Sequence, residues 1–108
     1  MRFPTTSTGR HCTFFVRAGP AGRVDVDISG ELDVHSGATL AAIIDGAGAG
    51  TVGLDLSEVV FIDRGGEEAI RALDGRRDIS IIVVAVSPEV ERQRRGSPPL
   101  VGGVGAVA

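Results

Sequence analysis

The 108-residue chain has no lysine, tryptophan or tyrosine and a single cysteine, Cys12. One cysteine cannot form an internal disulfide, which favours a reducing, cytoplasmic setting for a chain of this size. The 11 basic residues are all arginine, and 14 acidic residues outnumber them to give a formal net charge of −3. Because a nucleic-acid-binding domain needs a clustered basic excess, the composition argues against a nucleic-acid partner.

Long hydrophobic stretches are absent as well. The longest apolar run, Ile81–Val86, is far shorter than the ~20 residues that a bilayer-spanning helix needs. The first residues, MRFPTTS, lack the apolar core of a signal peptide, so we expect no membrane insertion. Hydrophobic residues make up 43% of the chain and charged residues 23%, which is the composition of a globular domain rather than of a disordered segment.

The chain divides into one patterned region between two ends without a pattern. Residues 1–10 mix Thr, Ser, Gly and Pro without a period, and we expect them to form a frayed N-terminus. Residues 96–108 are rich in Gly and Pro, and we expect them to form a loose C-terminal tail. Residues 11–95 carry the hydrophobic periods of strands and helices, so they are predicted to form a single domain.

The first half of this domain predicts two strands and a helix. Cys12–Arg17 is predicted as a strand, and Val24–Ser29 alternates apolar and polar residues strictly, as a strand with one buried face does. Turn residues at 19–22 predict that the two strands form an antiparallel hairpin. An apolar stripe at i, i+3, i+4 and i+7 then predicts a helix that begins near 34–37; the stripe consists of Leu40, Ile43, Ile44 and Ala47.

The second half predicts two further strands, each followed by a helix. Residues 51–62 alternate and then become continuously apolar, and an amphipathic helix follows Gly66. Ile79–Val86 is almost entirely apolar and β-branched, which is typical of a strand buried on both faces. Ser87–Glu89 predicts the start of a short last helix.

The predicted element order is therefore β-β-α-β-α-β-α, which indicates an α/β fold. Strands joined through helices pair in parallel, whereas a hairpin pairs antiparallel. We expect a small mixed four-stranded sheet, mostly parallel, with the first strand antiparallel at its edge and about three helices. Right-handed crossovers predict that consecutive helices lie on one face of the sheet.

Two carboxylates are predicted to emerge together at one edge of this sheet. Asp33 follows the second strand and Asp63 follows the third, and parallel neighbours end at the same edge. Asp63 precedes Gly65, Gly66 and a helix, so backbone N–H groups at the helix start face outward. The segment is explained either as a helix cap in a turn without a ligand or as a recognition loop.

A metal site or an acid–base pair built on Asp33 and Asp63 is a further interpretation. Neither His nor Cys completes a ligand set beside them, and two capping carboxylates explain the same residues. We therefore predict no metal, no cofactor and no catalytic residue.

Two segments of the chain resemble a known family. Gly30–Asp33 reads G-E-L-D, and Asp55–Gly66 reads D-L-S-E-V-V-F-I-D-R-G-G. These segments resemble the STAS domain of bacterial anti-sigma-factor antagonists, whose pattern is G-E-L-D, a helix, D-L-S-x-V-x-F-I-D-S-S-G and a second helix. The resemblance extends over about residues 12–95 and implies a STAS-like fold.

The resemblance also implies a non-catalytic regulatory module whose partner is an anti-sigma factor or a related serine-kinase-like protein. In that family the partner phosphorylates a serine in the loop after the third strand, and phosphorylation abolishes binding. Arg64 and Gly65 stand at the two serine positions here, and Gly65 occupies the usual phosphoacceptor position. Since glycine has no hydroxyl group, no phosphorylation is predicted at that position.

The predicted partner-binding residues are Asp33, Asp63, Arg64, Gly65, Gly66 and Glu67. Two alternative functions are compatible with the same residues. One is an accessory STAS domain of a transporter or of a sensor complex. The other is an anion- or nucleotide-binding domain that uses the loop N–H groups and Arg64.

Overall fold

The fold is taken from a computed structural model, which describes residues 5–8 and 11–101. Within these residues the chain forms five strands, three α-helices and one short 3₁₀ turn at Pro20–Gly22. The elements are β1 (Thr5–Thr8), β2 (Cys12–Ala18), β3 (Val24–Leu32), α1 (Val34–Ala47), β4 (Thr51–Ile62), α2 (Arg64–Asp74), β5 (Ser80–Val86) and α3 (Pro88–Gln93).

The five strands form one mixed sheet in the order β1-β2-β3-β4-β5. β2 pairs antiparallel with β1 and β3, whereas β3, β4 and β5 are parallel. The predicted α/β fold, its hairpin and its parallel crossovers are confirmed.

The edge of the sheet differs from the prediction, because β1 pairs with β2 on its outer side. The predicted first strand therefore lies second in the sheet. The expectation that residues 1–10 are frayed is wrong for Thr5–Thr8, which form a strand. These residues are polar, so no hydrophobic period marks them as a strand. The other residues of the predicted terminus, 1–4, 9 and 10, lie outside the described residues.

The core lies between one face of the sheet and the pair α1 and α2. Strand residues with 0% exposure, including Phe14, Val26 and Leu54, belong to the same buried cluster as residues of both helices: Leu40, Ile44, Ile70 and Leu73. The two helices cross closely, because a Cβ on Gly37 of α1 would overlap the Cβ of Ala69 in α2. Both helices therefore lie on the same face, as the crossover rule predicts. No helix within the described residues has the length and apolarity to cross a membrane.

Side chains at the start and end of the short helix α3 hydrogen-bond backbone groups in the part of β4 that extends beyond β5. Pairing with β5 ends at Leu56, but β4 continues for six residues, to Ile62. Ser87 Oγ donates to the Val59 carbonyl at 2.5 Å, and the Gln93 amide bonds both the N–H and the carbonyl of Ile62. Because these backbone groups find partners, the end of β4 is held in place where Asp63 begins the next turn.

The C-terminal segment packs more closely than expected. Leu100 and Val101 are 6% and 3% exposed and belong to the core, and Arg94 Nη2 donates to the Pro98 carbonyl at 2.6 Å. The prediction that the chain is loose from residue 96 onward is therefore wrong for these residues. Two apolar residues show no period, so pattern analysis could not detect their burial. Residues 102–108 of the predicted tail lie outside the described residues.

Candidate functional site

The carboxyl ends of β3 and β4 meet at one edge of the sheet, as parallel pairing predicts. Leu32 and Ile62 are register partners, and the Asp63 N–H donates to the Leu32 carbonyl at 3.1 Å. Asp33 and Asp63 are the next residues on the two strands, so both carboxylates lie at this edge.

Each carboxylate caps the helix that follows it. Asp33 Oδ1 accepts the Ser36 N–H at 2.9 Å at the start of α1, and Asp63 Oδ1 accepts the Gly66 N–H at 2.8 Å at the start of α2. The bond from the Ser36 N–H is the main cause that lowers the pKa of Asp33. Helix capping therefore accounts for both side chains, which is one of the two interpretations given in the sequence analysis.

The two glycines of the turn let α2 begin directly against β3. A Cβ on Gly66 would overlap the carbonyl oxygen of Leu32, which is backbone and cannot move aside. A Cβ on Gly65 would lie 3.0 Å from the Cβ of Val34 and 3.1 Å from its backbone nitrogen. The turn therefore has no room for a side chain at 66 and little at 65, so its shape is fixed by close packing.

Arg64 and Glu67, both predicted to bind a partner, lie in different environments. The Arg64 side chain is 91% exposed, and its contact is with Glu68, with Nε 3.5 Å from Oε2. Glu67 is largely buried, and its Oε2 lies 2.5 Å from Nε of Arg94, which is 11% exposed. Arg64 is thus available to another molecule, whereas Glu67 holds α2 against the segment that follows α3.

A group of exposed apolar side chains surrounds the turn and was missed in the sequence analysis. The large hydrophobic residues that are exposed among residues 11–101 are Phe15, Val34, Val60 and Phe61, and the last three lie within three residues of Asp33 or Asp63. Val34 is 59% exposed, Val60 54% and Phe61 48%. We call Val34, Val60, Phe61, Arg64 and Gly65 the strand-end surface.

The exposure of Val60 and Phe61 follows from an irregularity in the pairing of β3 and β4. Gly30 pairs with Val59, but Glu31 pairs with Phe61, so Val60 is an extra residue in β4. A bulge of this kind breaks the alternation of side chains between the two faces. In the sequence, only the continuous apolar run at 59–62 indicates this exposure, because four apolar residues in a row cannot all point to the buried face of a regular strand.

The metal and anion alternatives both depend on the groups around the Asp63 turn. Among the residues that the structure describes, no three His, Cys, Asp or Glu side chains are placed to hold a metal ion. At the start of α2, Asp63 already accepts the N–H groups of Gly66 and Glu67. A groove of about 470 Å³ lies elsewhere, between β5, α3 and Pro99–Val101. The candidate site is the exposed surface around the Asp63 turn.

Comparison with known proteins supports the fold. No protein-family model matches the chain, and no curated protein matches it. Among solved structures, the chain is similar to an anti-sigma factor antagonist from Mycobacterium paratuberculosis. The match covers 82% of this chain and 80% of that chain, with a TM-score of 0.62 and 24% sequence identity. This likeness shows that the chain has the fold of that protein, in agreement with the STAS-like fold predicted from the sequence.

Proposed function

We propose that the protein is a non-catalytic regulatory module that binds an anti-sigma factor or a related serine-kinase-like protein through the strand-end surface. The observation that carries this proposal is the concentration of exposed apolar side chains around the Asp63 turn. Apolar side chains grouped on a surface are typical of protein-binding sites. The G-E-L-D and D-L-S motifs and the fold shared with an anti-sigma factor antagonist support this class of partner.

The backbone beneath the strand-end surface is anchored by hydrogen bonds and close packing. Asp63 caps α2, Gly66 packs on the Leu32 carbonyl, and the Gln93 amide bonds the end of β4. A surface that is already ordered loses little conformational entropy on association. A small surface of this kind can therefore support specific binding.

The proposed module is not switched by phosphorylation of the turn. None of the four residues at 63–66 carries a hydroxyl group. The nearest serine in α1, Ser36, is 4% exposed, and its Oγ lies 3.0 Å from Asp33 Oδ1 and 3.1 Å from the Glu31 carbonyl. A kinase partner would find no free acceptor at the turn, so binding would depend on the amount of each protein.

Affinity capture from a lysate of the native host tests this proposal. The immobilised parent protein should enrich a serine-kinase-like anti-sigma factor, identified by mass spectrometry. Val34→Asp should lose this partner, because it places a charge at an exposed apolar residue that lies beside Gly65 of the turn. Ala72→Asp introduces the same charge at an exposed position of α2 away from the turn and should retain it. Equal recovery with both variants would refute the proposed surface, and capture of no such protein would refute the class of partner.

A further inference from the structure

The face of the sheet opposite α1 and α2 is uncovered within the described residues. Its side chains follow the strand register in rows: Phe15 lies opposite Asp27, which lies opposite Asp55. Closer to the carboxyl ends of β3 and β4, Ser29 pairs with Glu58, and Glu31 pairs with Phe61. We call this side of the sheet the open face.

In one part of the open face, the charged side chains pair with one another. Asp25 is 3% exposed because Arg17 and Arg23 lie over it, with N–O distances of 3.4 and 2.8 Å. Gly53 on the neighbouring strand leaves room for this carboxylate, since a Cβ there would overlap Asp25 Oδ1. Arg17 also bonds both carboxylate oxygens of Asp27 at 3.1 Å. This cluster is neutral and closed, so it offers nothing to a further ligand.

Within the described residues, the rest of the open face carries an excess of negative charge. Glu31 and Glu58 are exposed and have no cationic partner within residues 5–8 and 11–101, and Asp55 accepts hydrogen bonds from Ser57. Asp55 lies directly opposite Asp27, which Arg17 already pairs, and Arg17 also attracts Asp55. Two aromatic side chains flank these carboxylates: Phe15 is 36% exposed and Phe61 is 48% exposed.

We propose that Phe15, Glu31, Asp55, Glu58 and Phe61 form a second docking surface, for a segment of a protein partner that carries arginine or lysine next to apolar side chains. Cations from such a segment would neutralise Glu31 and Glu58, which have no cationic partner among the described residues, and its apolar side chains would cover the two phenylalanines. Charge complementarity selects this occupant. A second copy of the chain would bring the same carboxylates against each other, and nucleic acid or an anionic membrane would be repelled.

The docking surface is continuous with the strand-end surface through Phe61 but does not depend on the proposed function. A single partner could contact both surfaces, or two partners could bind at once. Because the carboxylates attract the basic residues of the segment electrostatically, binding should weaken as the salt concentration increases.

Selection of random 12-residue peptides on the immobilised protein tests the docking surface without knowledge of the natural partner. Peptides that survive selection should combine basic with aromatic or aliphatic residues. For a synthetic copy of the most frequent peptide, the double variant Glu31→Lys and Glu58→Lys should raise the dissociation constant about tenfold at low salt. Phe15→Thr, which introduces a residue that also favours strands, should raise the dissociation constant about fivefold through lost apolar contact.

The control is the double variant Glu68→Lys and Glu89→Lys, which makes the same change of net charge at exposed positions on the helices. It should leave the dissociation constant unchanged, and circular dichroism should show that all variants are folded. Equal weakening by both double variants would mean non-specific attraction and would overturn the proposal. So would selected peptides without basic residues, or a concentration-dependent dimer that Phe15→Thr abolishes, because the occupant would then be a second copy.

Discussion

The contact between Gly66 and Leu32 offers the sharpest test of how the Asp63 turn is built. In Gly66→Ala the new methyl group would overlap the Leu32 carbonyl oxygen and lie 2.8 Å from the carbonyl carbon. Leu32 is 0% exposed, and the same carbonyl accepts the Asp63 N–H at 3.1 Å. Leu32 cannot move without breaking this bond or opening the core, so we expect the start of α2 to shift away from β3.

The size of the effect follows from three contributions. Overpacking a core costs about 1–3 kcal/mol, and a clash with backbone belongs at the upper end of that range. A shift of α2 also weakens the bond from the Gly66 N–H to Asp63, and loss of such a cap costs about 1 kcal/mol. Replacing glycine by alanine inside a helix returns about 1 kcal/mol of helix propensity. We therefore expect Gly66→Ala to lower the free energy of unfolding by about 3 kcal/mol.

Urea denaturation followed by circular dichroism measures this loss, since the chain has no tryptophan or tyrosine to report by fluorescence. The matched control is Gly75→Ala at the other end of α2, where a Cβ would make ordinary contacts at 3.5 Å and φ is −77°. That substitution should be neutral or stabilise the fold by about 0.4–1 kcal/mol. If Gly66→Ala proves as stable as Gly75→Ala, the close contact with Leu32 does not exist and the account of the turn is wrong.

Four further predictions concern the core, the Asp33 cap and the proposed contact. Ile62→Asp should unfold the domain, because Ile62 is 1% exposed and a buried unpaired charge costs several kcal/mol, whereas Arg64→Ala should melt like the parent. Because the folded-state pKa of Asp33 is lowered, its ionised form should stabilise the fold above about pH 4, with the benefit lost as the pH falls further; Asp33→Asn should flatten this part of the pH dependence of urea melts. Burial raises the pKa of the Cys12 thiol, so Ellman's reagent should label it only after unfolding, and rapid labelling of the native protein would contradict its place in the core. Arg64→Ser should weaken partner binding by about 1 kcal/mol and flatten the salt dependence of the association rate in surface plasmon resonance; an unchanged rate would remove Arg64 from the contact.

The order of strands and helices could be predicted because it depends on hydrophobic patterns between residues that are close together in the sequence. The alternation in Val24–Ser29 identifies a strand, and the stripe that ends at Ala47 identifies a helix, each from a single hydrophobic period. The crossover rules then determine the direction of the strands. The positions of Asp33 and Asp63 followed from the same rules, since both residues stand directly after parallel neighbours.

The parts that could not be predicted depend on single contacts between distant residues. An extra residue in β4 exposes Val60 and Phe61, and a bulge has no periodic signature. The ion pair of Glu67 with Arg94 joins residues 27 positions apart, so no local pattern in the sequence indicates it. Leu100 is buried by a chain segment that reaches the core without regular structure.

The exposed face of the turn also constrains the chemistry of the proposed partner. Val34 lies over Gly65, so the position that carries a serine in the related pattern is covered by an apolar side chain in this chain. Arg64 adds a cation at the start of α2, where a positive charge opposes the helix dipole, and its exposed pairing with Glu68 contributes little stability. Neither residue is explained by the stability of the fold. A partner that uses the strand-end surface should therefore present an apolar patch beside an acidic group. It should not need polar groups that bind a serine hydroxyl at position 65.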